Sequence, residues 1–246
     1  MSAPMVRAIL NGTKRQTRRI VNPQPKGELT GYGCKGGFGF GFFFGQENFI
    51  PDKWQDGDRL TVKESAWMWC EKRPNGTTPK GRPKWLYAPM PKAPVYYTAD
   101  HPKKPTLAVV SPTTGNEWGW RLKIGRYLPA WASRLTLELT RVRIERLHDI
   151  TEADAWAEGI GREGRPLEAL VNVCMAFPKL NIGALAADDP KLFTFGDDRS
   201  TPTDYERVVA TTGRGVYAAL WEGINGPGSW AANPWVWALD FRRVQP

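Results

Sequence analysis

Histidine and cysteine are scarce in this chain, with 2 His and 3 Cys among 246 residues. Cys34, Cys70 and Cys174 are odd in number and share no short spacing, which argues against a disulfide framework and against a CxxC-type zinc site. With His101 and His148 alone, a His-rich metal centre is not expected either, and neither is any cofactor; carboxylate-held Mg²⁺ is the metal chemistry left open. Long apolar runs are missing as well. The Gly-punctuated run from Phe38 to Phe44 is far shorter than the roughly 20 residues that span a bilayer. The N-terminus shows no apolar leader segment. These absences point to a cytoplasmic protein without a membrane partner.

What is abundant is positive charge and aromatic surface. The 34 Lys and Arg against 25 Asp and Glu leave +9, which favours a polyanionic partner such as nucleic acid or a phosphorylated ligand. Twelve Trp, ten Phe and seven Tyr supply ample apolar area for a core. Most of the Trp must therefore be packing rather than base-stacking platforms.

Ser2 precedes a helix that begins near Ala3-Pro4 and stops at Asn11-Gly12, and Gln16 to Val21 then reads as a strand entered directly from it. Gly27 to Gly45, dominated by Gly and Phe, permits a bent hairpin or a mobile flap, with an irregular insertion as the preferred expectation. Asp56-Gly57-Asp58 is a turn into a strand from Arg59 to Glu64. Repeated Pro, Gly and Lys from Arg73 to Pro94 predict a surface loop, with strands resuming at Val95–Thr98 and Trp118–Leu122. Leu135, Leu137 and Leu139 alternate and are followed by Val142 and Ile144, so a long strand slips its period near Thr140. Thr151 and Asp154 form a capping box for a short helix ending at Gly159, which puts Glu158 at the negative end of the helix dipole. A carboxylate there needs a neutralising partner, and Arg162 is the local candidate. Helices are expected from Pro166 to Phe177 and from Gly215 to Ile224, with a loop between them. Pro234 to Val244, apolar on both faces until Asp240, predicts a central strand.

Several of these stretches together resemble the ASCH-domain proteins of bacteriophages and prophages. They are Met5 to Arg19, Gly57 to Glu64, Pro129 to Arg134, the Asp149 to Ile160 helix, and Leu220 to Gly226 through Asn233 to Val236. The resemblance implies an α+β fold, a PUA-like mixed β-barrel with helices closing its ends. It would form one domain over residues 1–246, with long loop insertions at about 24–55, 71–94 and 178–213. A cytoplasmic location in a bacterial host follows from the same resemblance.

Within that group, the sequence is similar to a small bacterial amidohydrolase that removes the acetyl group from acetylated cytidine. Its Lys, Thr, Arg and Glu pattern falls here on Lys14, Thr17, Arg19 and Glu158. The chemistry is coherent: Lys14 as a base would activate the Thr17 hydroxyl, Glu158 would reprotonate the leaving amine, and Arg19 would steady the developing oxyanion. In a regular strand, however, residues three apart face opposite ways, so Lys14 and Thr17 can meet only across a bend.

The binding alternative uses Lys14, Arg15, Arg18 and Arg19 as a solvated phosphate-binding patch, with Lys63, Glu64, Trp67 and Trp131 completing a basic cleft for a nucleobase, nucleoside or nucleic acid. Three functions follow as expectations. They are binding with hydrolysis of an amide on an acylated base, binding to RNA or DNA without catalysis, and a nuclease drawing on Asp58 and Glu64.

Overall fold

A computed structural model describes residues 2–35, 39–45, 48–106, 108–110, 117–161, 163–188, 192–195, 208–210 and 212–244. The chain divides into two compact units. The first comprises Met1–Arg7, Leu60–Leu137 and Arg243–Pro246, and the second Ala8–Arg59 and Glu138–Arg242.

The entry to the second unit follows the sequence closely. Helix α1 (Ala3–Leu10) stops at Asn11-Gly12, where Gly12 takes a φ of +78°, and β1 (Gln16–Ile20) follows after a short irregular link. The Gly/Phe segment departs from expectation. It forms an antiparallel meander of β2 (Leu29–Lys35), β3 (Gly39–Phe44) and β4 (Asn48–Pro51), not an irregular insertion. Glycine weakens a strand by itself, but here it admits close approach: a Cβ on Gly41 would lie 2.3 Å from the Ile50 carbonyl oxygen. The alternating Phe residues supply the burial. Phe44 meets the ring of Trp235 edge-on at 4.9 Å, and Phe42 meets Trp237 at 5.6 Å.

The first unit carries β5 (Arg59–Thr61), shared at its start with the second, then β6 (Ala66–Thr77), β7 (Pro83–Pro89), β8 (Val95–Tyr97), β9 (Ala108–Val110) and β10 (Glu117–Lys123). The strand predicted to run to Glu64 ends at Thr61. The sheet order is β7-β6-β10-β9, with β8 also on β6. The expected loop from Arg73 to Pro94 is therefore largely a hairpin, β6 paired antiparallel with β7. Its prolines are tolerated because Pro83 and Pro89 lie at the two ends of an edge strand, and the register shifts just beyond Pro74.

The rest of the second unit comprises β11 (Thr136–Arg146), α2 (Glu152–Ala157), α3 (Pro166–Ala176), α4 (Ile182–Asp188), β12 (Phe193–Phe195), β13 (Val208–Ala210), α5 (Gly213–Asn225) and β14 (Trp235–Val244). The loop expected between α3 and α5 thus contains a helix and a strand pair; residues 189–191, 196–207 and 211 lie outside the described residues. In β11 the buried positions pass from Leu137 and Leu139 to Ile144, the predicted change of parity.

Strands β1, β14, β11 and β5, in that order, form a curled antiparallel half-barrel sheet, so the molecule is a mixed α+β protein. Strand β14 is central, as its two apolar faces require. Val236 on one face joins the core of α2, α3 and α5 with Trp156, Tyr217 and Trp230, while Trp235 and Trp237 on the other face meet the meander. Among the described residues no helix is long and apolar enough to cross a membrane.

Replacing Gly41 with Ala should destabilise the protein by about 1–3 kcal/mol, because backbone rather than a flexible side chain blocks the new methyl. Denaturant unfolding measures this, and an unchanged midpoint would mean that β3 and β4 do not approach so closely.

Candidate functional site

Lys14 sits between α1 and β1, and its backbone forms an isolated antiparallel bridge with Glu158, just past the end of α2. The approach is close enough that a Cβ on Gly159, which has a φ of +75°, would lie 2.6 Å from Lys14 Cβ. Glu158 arrives there because the predicted capping box is real. Asp154 N–H donates to Thr151 Oγ1 at 3.1 Å and Thr151 N–H returns to Asp154 Oδ2 at 3.3 Å, which sets where α2 starts.

The two side chains are buried together, Lys14 5% and Glu158 4% exposed. Lys14 Nζ donates to Glu158 Oε2 at 2.9 Å, to the Glu158 carbonyl at 2.7 Å and to the Gln16 carbonyl at 2.8 Å. All three ammonium donors are thereby used. Arg18 approaches the other Glu158 oxygen at 3.4 Å and binds Glu145 through Nη2 at 2.6 Å and Nε at 3.1 Å. Gln16 accepts from Arg18 and donates both to Asp154, at 2.9 Å, and to Asp240, which Arg143 also holds at 2.7 Å.

Three cations and four carboxylates thus share one network. Its charges nearly balance, as burial demands. Arg162, the neutralising partner expected for Glu158, lies outside the described residues; Lys14 and Arg18 perform that task.

Burial alone would push the Asp154 carboxyl up, but hydrogen bonds from Gln16 and Thr151 and the charge of Arg18 hold it below its ordinary value of 3.8. Tyr217 on α5 moves the other way, well above its ordinary 10.0, through burial and then through the charge and hydrogen bonding of Glu158. Burial opposes the charge on Arg18, and Glu158 and Glu145 outweigh it, so the guanidinium is held more firmly protonated than usual.

Of the remaining motif residues, Thr17 and Arg19 lie on β1 and Arg15 just before it. Gln16 and Arg18 pair across the ladder with Asp240 and Ala238, on the helix-covered face, whereas Thr17 and Arg19 pair with Leu239 and Trp237. Alternation therefore turns Thr17 away from the face that holds Lys14 and Glu158. Arg15 and Arg19 are exposed and make no ion pair with a described residue. Arg15 lines a cleft of about 360 Å³ with Gly12, Thr13, Ala153, Trp156, Ala157, Gly161 and Glu163.

Lys63, Glu64, Trp67 and Trp131 belong to the first unit. Glu64 is buried and clasped by Arg134 at 2.8 and 3.1 Å, and Arg134 also pairs with Asp100 and lies 4.0 Å above the Tyr97 ring. Trp67 lies on β6, Lys63 is exposed, and Trp131 is half exposed in a single 3-10 turn, Ala130–Ala132. Asp58 accepts from Gln55 N–H at 2.8 Å, which is turn chemistry. Among the described residues no three His, Cys, Asp or Glu side chains form a group able to hold a metal ion.

The chain matches no family model, no curated protein and no solved structure. The site must therefore be judged on its own electrostatics, and here the two units differ sharply. Leu60–Leu137 holds 13 Lys and Arg against 4 Asp and Glu, leaving 21 of each in the rest of the chain. The entire +9 therefore resides in that one stretch. Glu145, Asp154, Tyr217, Arg143 and Asp240 were missed as site residues by the sequence reasoning. The interruption of β14 by Asp240 and the capping position of Asp154 gave signals in the pattern; the others gave none.

Removing one member of the buried pair, as in Glu158→Ala, should destabilise the protein by about 3–5 kcal/mol, whereas removing both charges in Lys14→Met with Glu158→Gln should recover part of that loss. Chemical denaturation of the two variants checks this, and equal losses would contradict it.

The titrating groups set two limits. The stability from depressed Asp154 is present above 3.8 and is lost as pH falls through its lower folded value, while that from raised Tyr217 is present below 10.0 and is lost on the alkaline side. A plot of unfolding free energy against pH should fall at both ends, and Asp154→Asn should flatten the acid limb.

Proposed function

We propose that this chain is an ASCH-type, PUA-like protein of the kind found in phages and prophages, and that it binds nucleic acid without turning over a modified base. One observation carries this reading: the whole net charge of +9 lies within Leu60–Leu137, a stretch with its own five-stranded sheet. Counterion release from phosphates neutralised by such a surface would supply the affinity. The curled half-barrel and the helices on one face of β14 are consistent with the PUA-like arrangement. The Lys14–Glu158 pair then acts as a framework that locks α2 to the entry of β1.

A second reading, hydrolysis of an amide on an acylated nucleobase, draws support from Lys14 and Glu158 lying 2.9 Å apart. Against it stand the three acceptors around Lys14 Nζ and the opposite facing of Thr17. A base must have a lone pair free, and a nucleophile must lie within its reach.

Fluorescence anisotropy with labelled oligonucleotides should show binding that weakens steeply with salt, and incubation with N4-acetylcytidine should release no acetate. Turnover abolished by Lys14→Ala and by Thr17→Ala would reverse the assignment in favour of the hydrolase.

A further inference from the structure

The pairing of β6 with β10 ends at Glu71 opposite Trp118, while the pairing of β6 with β7 continues to Thr77 opposite Pro83. Beyond Glu71 the two strands thus run on as a two-stranded ribbon among the described residues. Thr78 N–H donates to the Arg82 carbonyl at 2.8 Å, closing a turn at Lys80-Gly81 where Gly81 has a φ of +72°. From Lys72 to Tyr87 the sequence holds five Lys or Arg and no Asp or Glu.

Two of these cations are already engaged. Lys72 pairs with Glu117 at 2.7 Å, and Arg73 pairs with Glu71. Lys80, Arg82 and Lys84 are exposed and make no ion pair with a described residue. A Lys and two Pro also blunt an edge strand against unwanted pairing. That accounts for Pro83, Lys84 and Pro89, but not for the absence of every carboxylate from Lys72 to Tyr87.

Resting on the nucleic-acid reading above, we propose that this ribbon is the contact element and that it enters the major groove of double-stranded DNA. Six residues of strand extend about 20 Å, and a groove about 12 Å wide admits a two-stranded ribbon. Lys80, Arg82 and Lys84 then meet phosphates at the groove edge. Base stacking is disfavoured because the aromatic rings here are already covered by cations: Lys72 Nζ lies 4.6 Å from the Trp85 ring and the Arg121 guanidinium 4.3 Å from the Tyr87 ring. Duplex RNA is disfavoured because its major groove is too deep and narrow for side chains to read.

The test compares the parent with the triple variant Lys80→Gln, Arg82→Gln, Lys84→Gln, using three probes of one sequence: a DNA duplex of about two helical turns, its single strand, and the RNA duplex. The parent should prefer duplex DNA. The variant should melt like the parent, bind on the order of tenfold or more weakly, and show a log–log salt slope shallower by about 2.7, roughly 0.9 for each phosphate that the variant no longer neutralises. A variant that binds like the parent, or a parent that holds single strand or duplex RNA as tightly as duplex DNA, would overturn the ribbon-in-groove proposal and leave nucleic-acid binding standing. A parent that binds none of the three overturns both.

Discussion

Glu158 closes a short helix at the end where backbone carbonyls already concentrate negative potential, and it does so out of reach of water. Such a carboxylate persists only if cations are brought to it. Lys14 comes from the helix-to-strand link and Arg18 from β1, and each addition creates a further demand that Gln16, Glu145, Asp154 and Asp240 meet in turn. The network therefore ties the entry of β1 to α2, β11 and β14. It also explains why Gly159 carries no side chain, since a Cβ there would collide with the Lys14 stem.

The same balance has a functional consequence. A cluster whose cations are matched by carboxylates projects little field, so Lys14 and Arg18 become electrostatically quiet once folded, while Arg15 and Arg19 of the same motif stay exposed. The excess charge is left to a different part of the chain. Leu60–Leu137 supports it on a sheet where the few carboxylates, Glu64, Glu71, Asp100 and Glu117, are each held by neighbouring Arg or Lys. The matched cluster and the excess charge are thus separate pieces of chemistry.

Much of the fold was legible because burial periodicity and capping act locally. The parity change in β11, the Thr151–Asp154 box and the central position of β14 all follow from residues within a few positions of one another. What failed was the treatment of Gly and Pro as breakers. In β3, Gly41 permits the closeness of β4 while Phe42 and Phe44 find partners far along the chain, and in the β6–β7 hairpin the prolines occupy strand ends and a register shift. Tertiary pairing overrides local preference in both cases. At the site, the Lys14–Glu158 contact was anticipated from the resemblance, but Tyr217 and Glu145 carried no local mark, because their role comes only from what the fold brings beside them.

On the proposed function, the motif around Lys14 is framework and the basic hairpin meets the ligand. Backbone amide NMR during titration with a short DNA duplex tests it most directly. Shift changes should concentrate on Lys72 to Tyr87, with the amides of Lys14 to Arg19 and Glu152 to Gly159 left in place. Changes centred on Lys14 to Arg19 and α2, with the hairpin silent, would contradict it.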